Sequence, residues 1–327
     1  MSANSSHFEF PAPIGGVPFP LDFGPAVFFA VIYAICVPLV LFRLALPSSR
    51  TFVILGTMIF TVERIVDFAL RAEEAHSPSK RVSKYFVSYL QTAYAAGFIG
   101  IGQDLVVLAR AFLVNSTHGD DSAHSAGSSR VDVGSRDLED AQPLTGWPYV
   151  RFPRARADEP RRRFWTRRAC GAMSLLYWAA VILATVSGAT YFAGIASASQ
   201  AQLTQQTRYA ATVLTLVLLQ ATNWLVLWSL MTCPYRIARV PALVLCLVAN
   251  LLTVTSVYRL AAMHHQTTAL LSTAPGSLNS APAKAVFYAL HIAPEWLAGA
   301  VLLGVNVRKM FDTGLMGDWR SREVSKN

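Results

Sequence analysis

KAVFYALHIAPEWLAGAVLLGVNVRKMF, residues Lys284 to Phe311, is an apolar run closed by the basic pair Arg308 and Lys309. A helix rises about 1.5 Å per residue and needs about 20 residues to cross the hydrocarbon of a bilayer, so this stretch reads as one membrane span. Lys284, Tyr288, His291 and Glu295 recur at helical spacing and fall on one face. A charge near mid-bilayer costs roughly 2.5 to 3.5 kcal/mol on insertion scales, so that face must turn toward protein or water. His291 and Glu295 are therefore candidate functional residues.

The rest of the chain fits the same environment. Of 327 residues, 53% are hydrophobic and only 14% charged, the composition of an integral membrane protein. The net charge of +9 does not indicate nucleic-acid binding, because the basic residues flank apolar segments instead of covering a soluble domain. Spans are expected at residues 24–46, 51–71, 85–110, 169–194, 208–232, 240–263 and 284–308. The fold class is all-α, a polytopic bundle of seven transmembrane helices. An extracytoplasmic segment at 1–23, rich in proline and aromatic residues, precedes helices one to three within 24–113. A disordered cytoplasmic loop at 114–168 leads to helices four to seven within 169–309 and a cytoplasmic tail at 310–327.

Charge sets the expected orientation. With the N-terminus outside, the inner loops and tail collect 20 Lys and Arg residues and the outer side 6, which favours N-out and C-in. The connection at 72–84 is the one loop that runs against this bias. Asn4-Ser5-Ser6 is a glycosylation sequon, which makes Asn4 a marker of sidedness. The four cysteines fall in or at the inner ends of spans, so no structural disulfide is expected.

The second span is anomalous, with Glu63, Arg64 and Asp67 among apolar residues. Arg64 reaches Asp67 at i, i+3, and the depth of Glu63 matches that of His291. These residues, with Tyr288, Glu295 and Arg259 above them, define a candidate polar cluster between spans two and seven. Two readings of it stay open: ion pairs that hold helices together, and a pathway for substrate or protons. Pro294 breaks the backbone bonding just before Glu295. Gln220, Asn223 and Asn250 are expected to bond between helices. Arg161, Arg162, Arg163, Arg167 and Arg168 form a basic juxtamembrane patch suited to anionic lipid headgroups at the inner leaflet.

Several chemistries lack their residues. His291 is the one intramembrane histidine, too few for a zinc hydrolase, and Lys284 lies at the end of its span, not mid-span as a retinal Schiff base requires. No Gly-rich phosphate loop, Cys-x-x-Cys pair or nucleophile elbow is present. Neither an enzyme, a metal nor a cofactor is expected.

Spans six and seven distantly resemble the fungal lipid-translocating exporters, also called aminocholesterol-resistance proteins, a seven-span family. Tyr258 and Arg259 match its Tyr-Arg late in span six. Phe287, Tyr288 and Pro294 match its Phe-Tyr-x-x-Asp-x-x-Pro, with His291 in place of Asp. Ala262 stands where the family usually has Glu, and Lys284 where it often has an acid. The resemblance implies a plasma-membrane or endomembrane protein whose partners are membrane lipids or a small amphiphilic ligand, and the plasma membrane is the expected location of the two. It implies translocation or sensing of lipids or toxic amphiphiles. The alternative is a G-protein-coupled-like seven-span receptor that engages cytosolic partners through loop 114–168. Against the receptor stand Leu108-Ala109-Arg110 without a preceding acid and a last span without Asn-Pro.

Overall fold

The computed structural model describes residues 8–118, 158–234, 236–274 and 277–317. Asn4, most of the loop at 114–168 and the tail beyond residue 317 lie outside them. Seven long helices organise the described residues: α1 (Phe23–Ala45), α2 (Leu55–His76), α3 (Lys84–Asn115), α4 (Pro160–Ala196), α5 (Ala198–Thr232), α6 (Arg239–Ala262) and α7 (Ala281–Gly304). Six of them, all but α2, are long and apolar enough to cross a membrane, so this is a multi-pass membrane protein. The 22 residues of α2 carry too many charges to meet that criterion, yet they pack against α1, α3 and α7.

Proline and helix caps set the boundaries. Pro160 and Pro282 stand in the first turns of α4 and α7, where a missing N–H costs nothing. Asp104 of α3 accepts from Thr57 N at 2.6 Å and Thr57 Oγ1 at 2.8 Å, capping the start of α2 from another helix. Arg43 of α1 donates to Leu303 O at 3.0 Å and Gly304 O at 2.9 Å, closing the end of α7. In the α2–α3 connection, Arg81 donates to Glu74 O at 2.9 Å and so caps α2 in turn.

The central helix is α3, and glycine lets its neighbours close on it. A methyl at Gly188 would lie 2.0 Å from Thr92 Oγ1, and one at Gly97 would lie 2.5 Å from the Phe60 ring and 2.6 Å from Arg64 Nη2. Between α5 and α6, Gln220 donates to Thr253 at 2.7 Å and Asn223 to Asn250 at 3.5 Å, the interhelical bonding expected of them. No disulfide joins the four cysteines, all of which are among the described residues.

Two boundaries differ from expectation. Residues 161–168, assigned to a disordered loop, are the first turns of α4. Arg208, assigned to an outward loop, is buried inside α5, which begins at Ala198 and not near 208. A hydropathy window misses these turns because their residues, such as Gln205 and Gln206, are polar while their backbone remains helical.

The irregular backbone expected of residues 1–23 is found from residue 8 onward, apart from a two-residue strand and one 3-10 turn. Phe10–Pro11 pairs antiparallel with Gln266–Thr267, and Phe10 through Pro18 are all buried, plugging the end of the bundle from which the N-terminus enters. Irregular backbone at such depth needs partners for its polar groups. Pro11, Pro13 and Pro18 have no N–H to satisfy. Backbone carbonyls serve Ala12 N and Gly16 N, and side chains serve others: Gln91 accepts from Ile14 N at 3.0 Å and donates back to Ile14 O, Asn279 accepts from Val17 N at 2.7 Å, and Tyr191 donates to Pro11 O at 3.0 Å. The chain reverses through Gly15 and Gly16, at φ +77° and +63°. A methyl at Gly15 would also meet the Phe287 ring at 2.7 Å. Gly15→Ala is expected to cost about 1–3 kcal/mol, the scale of a strained backbone, seen as a lower thermal midpoint of the purified protein in detergent. An unchanged midpoint would show that this turn does not hold the plug.

Candidate functional site

Two ionic clusters lie in the bundle between α2 and α7. The deeper one centres on Arg64, which is fully buried and donates to Asp67 Oδ2 at 2.6 Å and to Glu295 Oε2 at 2.9 Å. The guanidinium also stacks over Phe60 at 4.5 Å and Tyr94 at 5.3 Å. Gly97 supplies the space for it. His291 Nε2 stands 3.5 Å from Glu295 Oε1, an electrostatic contact longer than a good hydrogen bond. Aromatic rings pack around the imidazole, with Phe287 stacked at 5.3 Å and Tyr258, Tyr94 and Phe98 at 5.8, 6.1 and 6.5 Å.

The second cluster, nearer the plug, centres on Asp22. Its carboxylate accepts from Arg71 at 2.8 Å, from Tyr288 OH at 3.2 Å, from Phe19 N at 2.9 Å and from Lys284. Arg71 donates onward to Tyr288 OH at 2.9 Å and to Gly15 O at 2.6 Å, and Lys284 donates to Val17 O at 2.6 Å. The same cations thus hold both the carboxylate and the backbone of the plug. A stack of Tyr33, Phe68, Phe29 and Tyr288 packs beside both clusters.

The backbone of α7 is modified where these groups meet. Residues Tyr288–Ile292 form a π turn immediately before Ala293 and Pro294, and His291 O accepts from Thr255 of α6 at 3.3 Å. Pro294 cannot supply the usual N–H four residues on, and a wider turn accommodates the loss. The backbone irregularity therefore coincides with the ionic side chains.

The expected cluster is assembled in part. Arg64, Asp67, His291 and Glu295 come together, and Tyr288 joins the Asp22 group. Glu63 does not face His291: it is half-buried and makes no hydrogen bond or ion pair among the described residues. The helical turn explains this, because Glu63 precedes Arg64 by about 100° and Arg64 occupies the inward face. Arg259 does not bridge the ionic clusters either; it donates to Tyr94 O at 2.5 Å and Thr212 Oγ1 at 3.5 Å.

The basic patch also divides. Arg163 is buried and bonded to Thr117 Oγ1 at 3.1 Å and to Asp158, while Arg162 reaches Cys233 Sγ at 2.6 Å and Glu159 at 3.5 Å. Both tie loops to α4 instead of facing lipid. Arg161 and Arg168 are exposed, and Arg167 is half-buried.

Asp22, Arg71, Gln91, Arg208 and Asn279 are the residues that sequence reasoning did not place in a site. One signal was available for the first: Asp22 and Glu9 are the only acids before Glu63, and Asp22 directly precedes an apolar helix. Comparison of the chain with family models, with curated proteins and with solved structures finds no match in any of the three.

Removing Arg64 would leave two buried carboxylates without their cation. Arg64→Leu is expected to cost roughly 3–5 kcal/mol, as for other broken buried pairs, read as lost thermal stability in detergent. Arg64→Leu combined with Asp67→Asn and Glu295→Gln should recover much of it. Equal instability in the single and triple variants would contradict the pairing.

Proposed function

We propose that the protein crosses the membrane seven times, N-terminus outside and C-terminus in the cytoplasm, and takes lipids or toxic amphiphiles from the bilayer into its polar interior. Translocation or sensing of such molecules at the plasma membrane is the activity proposed, in keeping with the resemblance of Tyr258-Arg259 and Phe287-Tyr288 to the lipid-translocating exporters. One observation carries the reading. A groove of about 500 Å³ runs between α6 and α7 on the exterior of the bundle, lined by Val254, Val257, Tyr258, Ala261, Val286 and Leu290 among others. Its rim residues are exposed where a membrane helix meets acyl chains, and its lining is almost wholly apolar, matched to a hydrocarbon tail.

The inner wall of the groove leads to the ionic site. Tyr258 lines the groove, its ring contacts His291, and its hydroxyl is buried without a hydrogen-bond partner. A tail in the groove would thus bring a polar headgroup toward Tyr258 and the cluster around His291 and Glu295. The plug seals the N-terminal end of the bundle, which leaves the side as the route of entry for a bilayer-dissolved ligand.

In reconstituted vesicles the protein is expected to speed exchange of a fluorescent short-chain lipid between leaflets. Val257→Trp, which fills the groove from its exposed rim, should return that rate to the protein-free value. Exchange no faster than in empty vesicles, with clear recruitment of a cytosolic partner in cells, would favour the receptor reading instead.

A further inference from the structure

Five cationic side chains are buried in this half of the bundle, and they are not treated alike. Arg64, Arg71 and Lys284 each have a carboxylate in contact. Among the described residues, Arg208 and Arg259 have no carboxylate within ion-pair distance. Arg208 is 2% exposed and donates to Ala12 O at 3.1 Å and Gln91 Oε1 at 2.6 Å, with its guanidinium over the Tyr191 ring at 4.7 Å. Arg259 is 1% exposed and donates to Tyr94 O and Thr212 Oγ1, with its guanidinium over Phe98 at 5.2 Å. Every one of those acceptors is neutral.

We propose that Arg208 and Arg259 form a binding site for an oxyanion, the carboxylate or phosphate headgroup of an amphiphile whose tail lies in the α6–α7 groove. This rests on the function proposed above and adds the chemical class of its ligand. An isolated buried cation carries a desolvation cost that neutral acceptors only partly offset. Hydrogen bonds to carbonyls alone would be served by a neutral donor such as Gln. Two fixed positive charges are what a partly desolvated carboxylate or phosphate requires, and arginine's planar fork suits both anions.

The two residues converge. Thr212, one turn after Arg208 on α5, accepts from Arg259 of α6, and their other acceptors, Gln91 and Tyr94, lie one turn apart on α3. Both guanidiniums therefore sit against the same patch of α3. Among the described residues no acceptor is bonded to Arg208 Nε or Arg259 Nη2, so each side retains a donor for a ligand. Tyr258, which precedes Arg259 on α6, lines the groove, while both arginines lie behind it on the side of α6 that faces α3 and α5. Arg208 holds the plug at Ala12, which closes the site from the N-terminal end.

The test uses the full chain purified in a neutral maltoside detergent, titrated with dodecyl phosphate, dodecyltrimethylammonium or inorganic phosphate and read by thermal shift. Dodecyl phosphate should stabilise the wild type saturably, the cationic amphiphile should not, and R259Q should weaken the apparent affinity by about tenfold or more. R259K, which keeps the charge without the fork, should fall between. R208Q also loosens the plug, so R259Q, which touches no plug residue, is the deciding variant. Stabilisation by inorganic phosphate at equal concentration would keep the anion site and assign it a soluble ligand. Equal shifts from the two charged amphiphiles, or wild-type affinity in R259Q, would overturn the proposal. Anion binding without lipid exchange in vesicles would leave this site standing and remove the translocation reading.

Discussion

A charge taken out of water must find an opposite charge or be expelled, and this constraint fixes the centre of the molecule. Arg64 stands between Asp67 and Glu295, while Asp22 stands between Arg71 and Lys284. One cluster has a surplus of one carboxylate and the other a surplus of one cation, so three acids and three bases balance across the pair. The pairing also dictates which helices touch. α2 cannot turn Arg64, Asp67 and Arg71 toward lipid, so it must lie against α7, whose Glu295 accepts from Arg64 and whose Tyr288 accepts from Arg71. Asp22 draws the start of α1, and with it the plug, onto the same seam.

Much of the fold was legible because hydropathy reports the environment of a span directly. The six apolar helices fall where apolar runs predict them, and the charged face of α7 follows from helical spacing alone. The i, i+3 pair of Arg64 with Asp67 is equally local. What sequence could not give was direction around α2, where neighbouring Glu63 and Arg64 differ by one helical step and only packing against Gly97 selects the arginine. Nor could a count of charges by loop detect that Arg71, Arg81, Arg208 and Lys284 are bound to protein atoms. Arg81 caps α2, and the other three reach into the bundle, so the loop that argues against the charge bias holds fewer free cations than its composition suggests.

The plug was the least legible part, for a physical reason. A short stretch with three prolines and two adjacent glycines has no period to mark its buried face, and its partners lie on five helices and the loop before α7. Its stability comes from side chains distant in sequence that bond to its backbone. Gln91 alone serves both Ile14 N and Ile14 O. Such long-range accounting becomes visible only in three dimensions.

The central claim is that a buried carboxylate at Asp22 holds the N-terminal segment inside the bundle. Thiol labelling of Ile14→Cys, in purified protein whose four native cysteines are replaced by serine, tests it most directly, with Glu9→Cys as an exposed reference. Ile14→Cys should resist a polar maleimide that reacts readily at Glu9→Cys, and should become reactive once Asp22→Asn is added. Rapid labelling of Ile14→Cys with Asp22 intact, or equal protection with and without the carboxylate, would contradict the account.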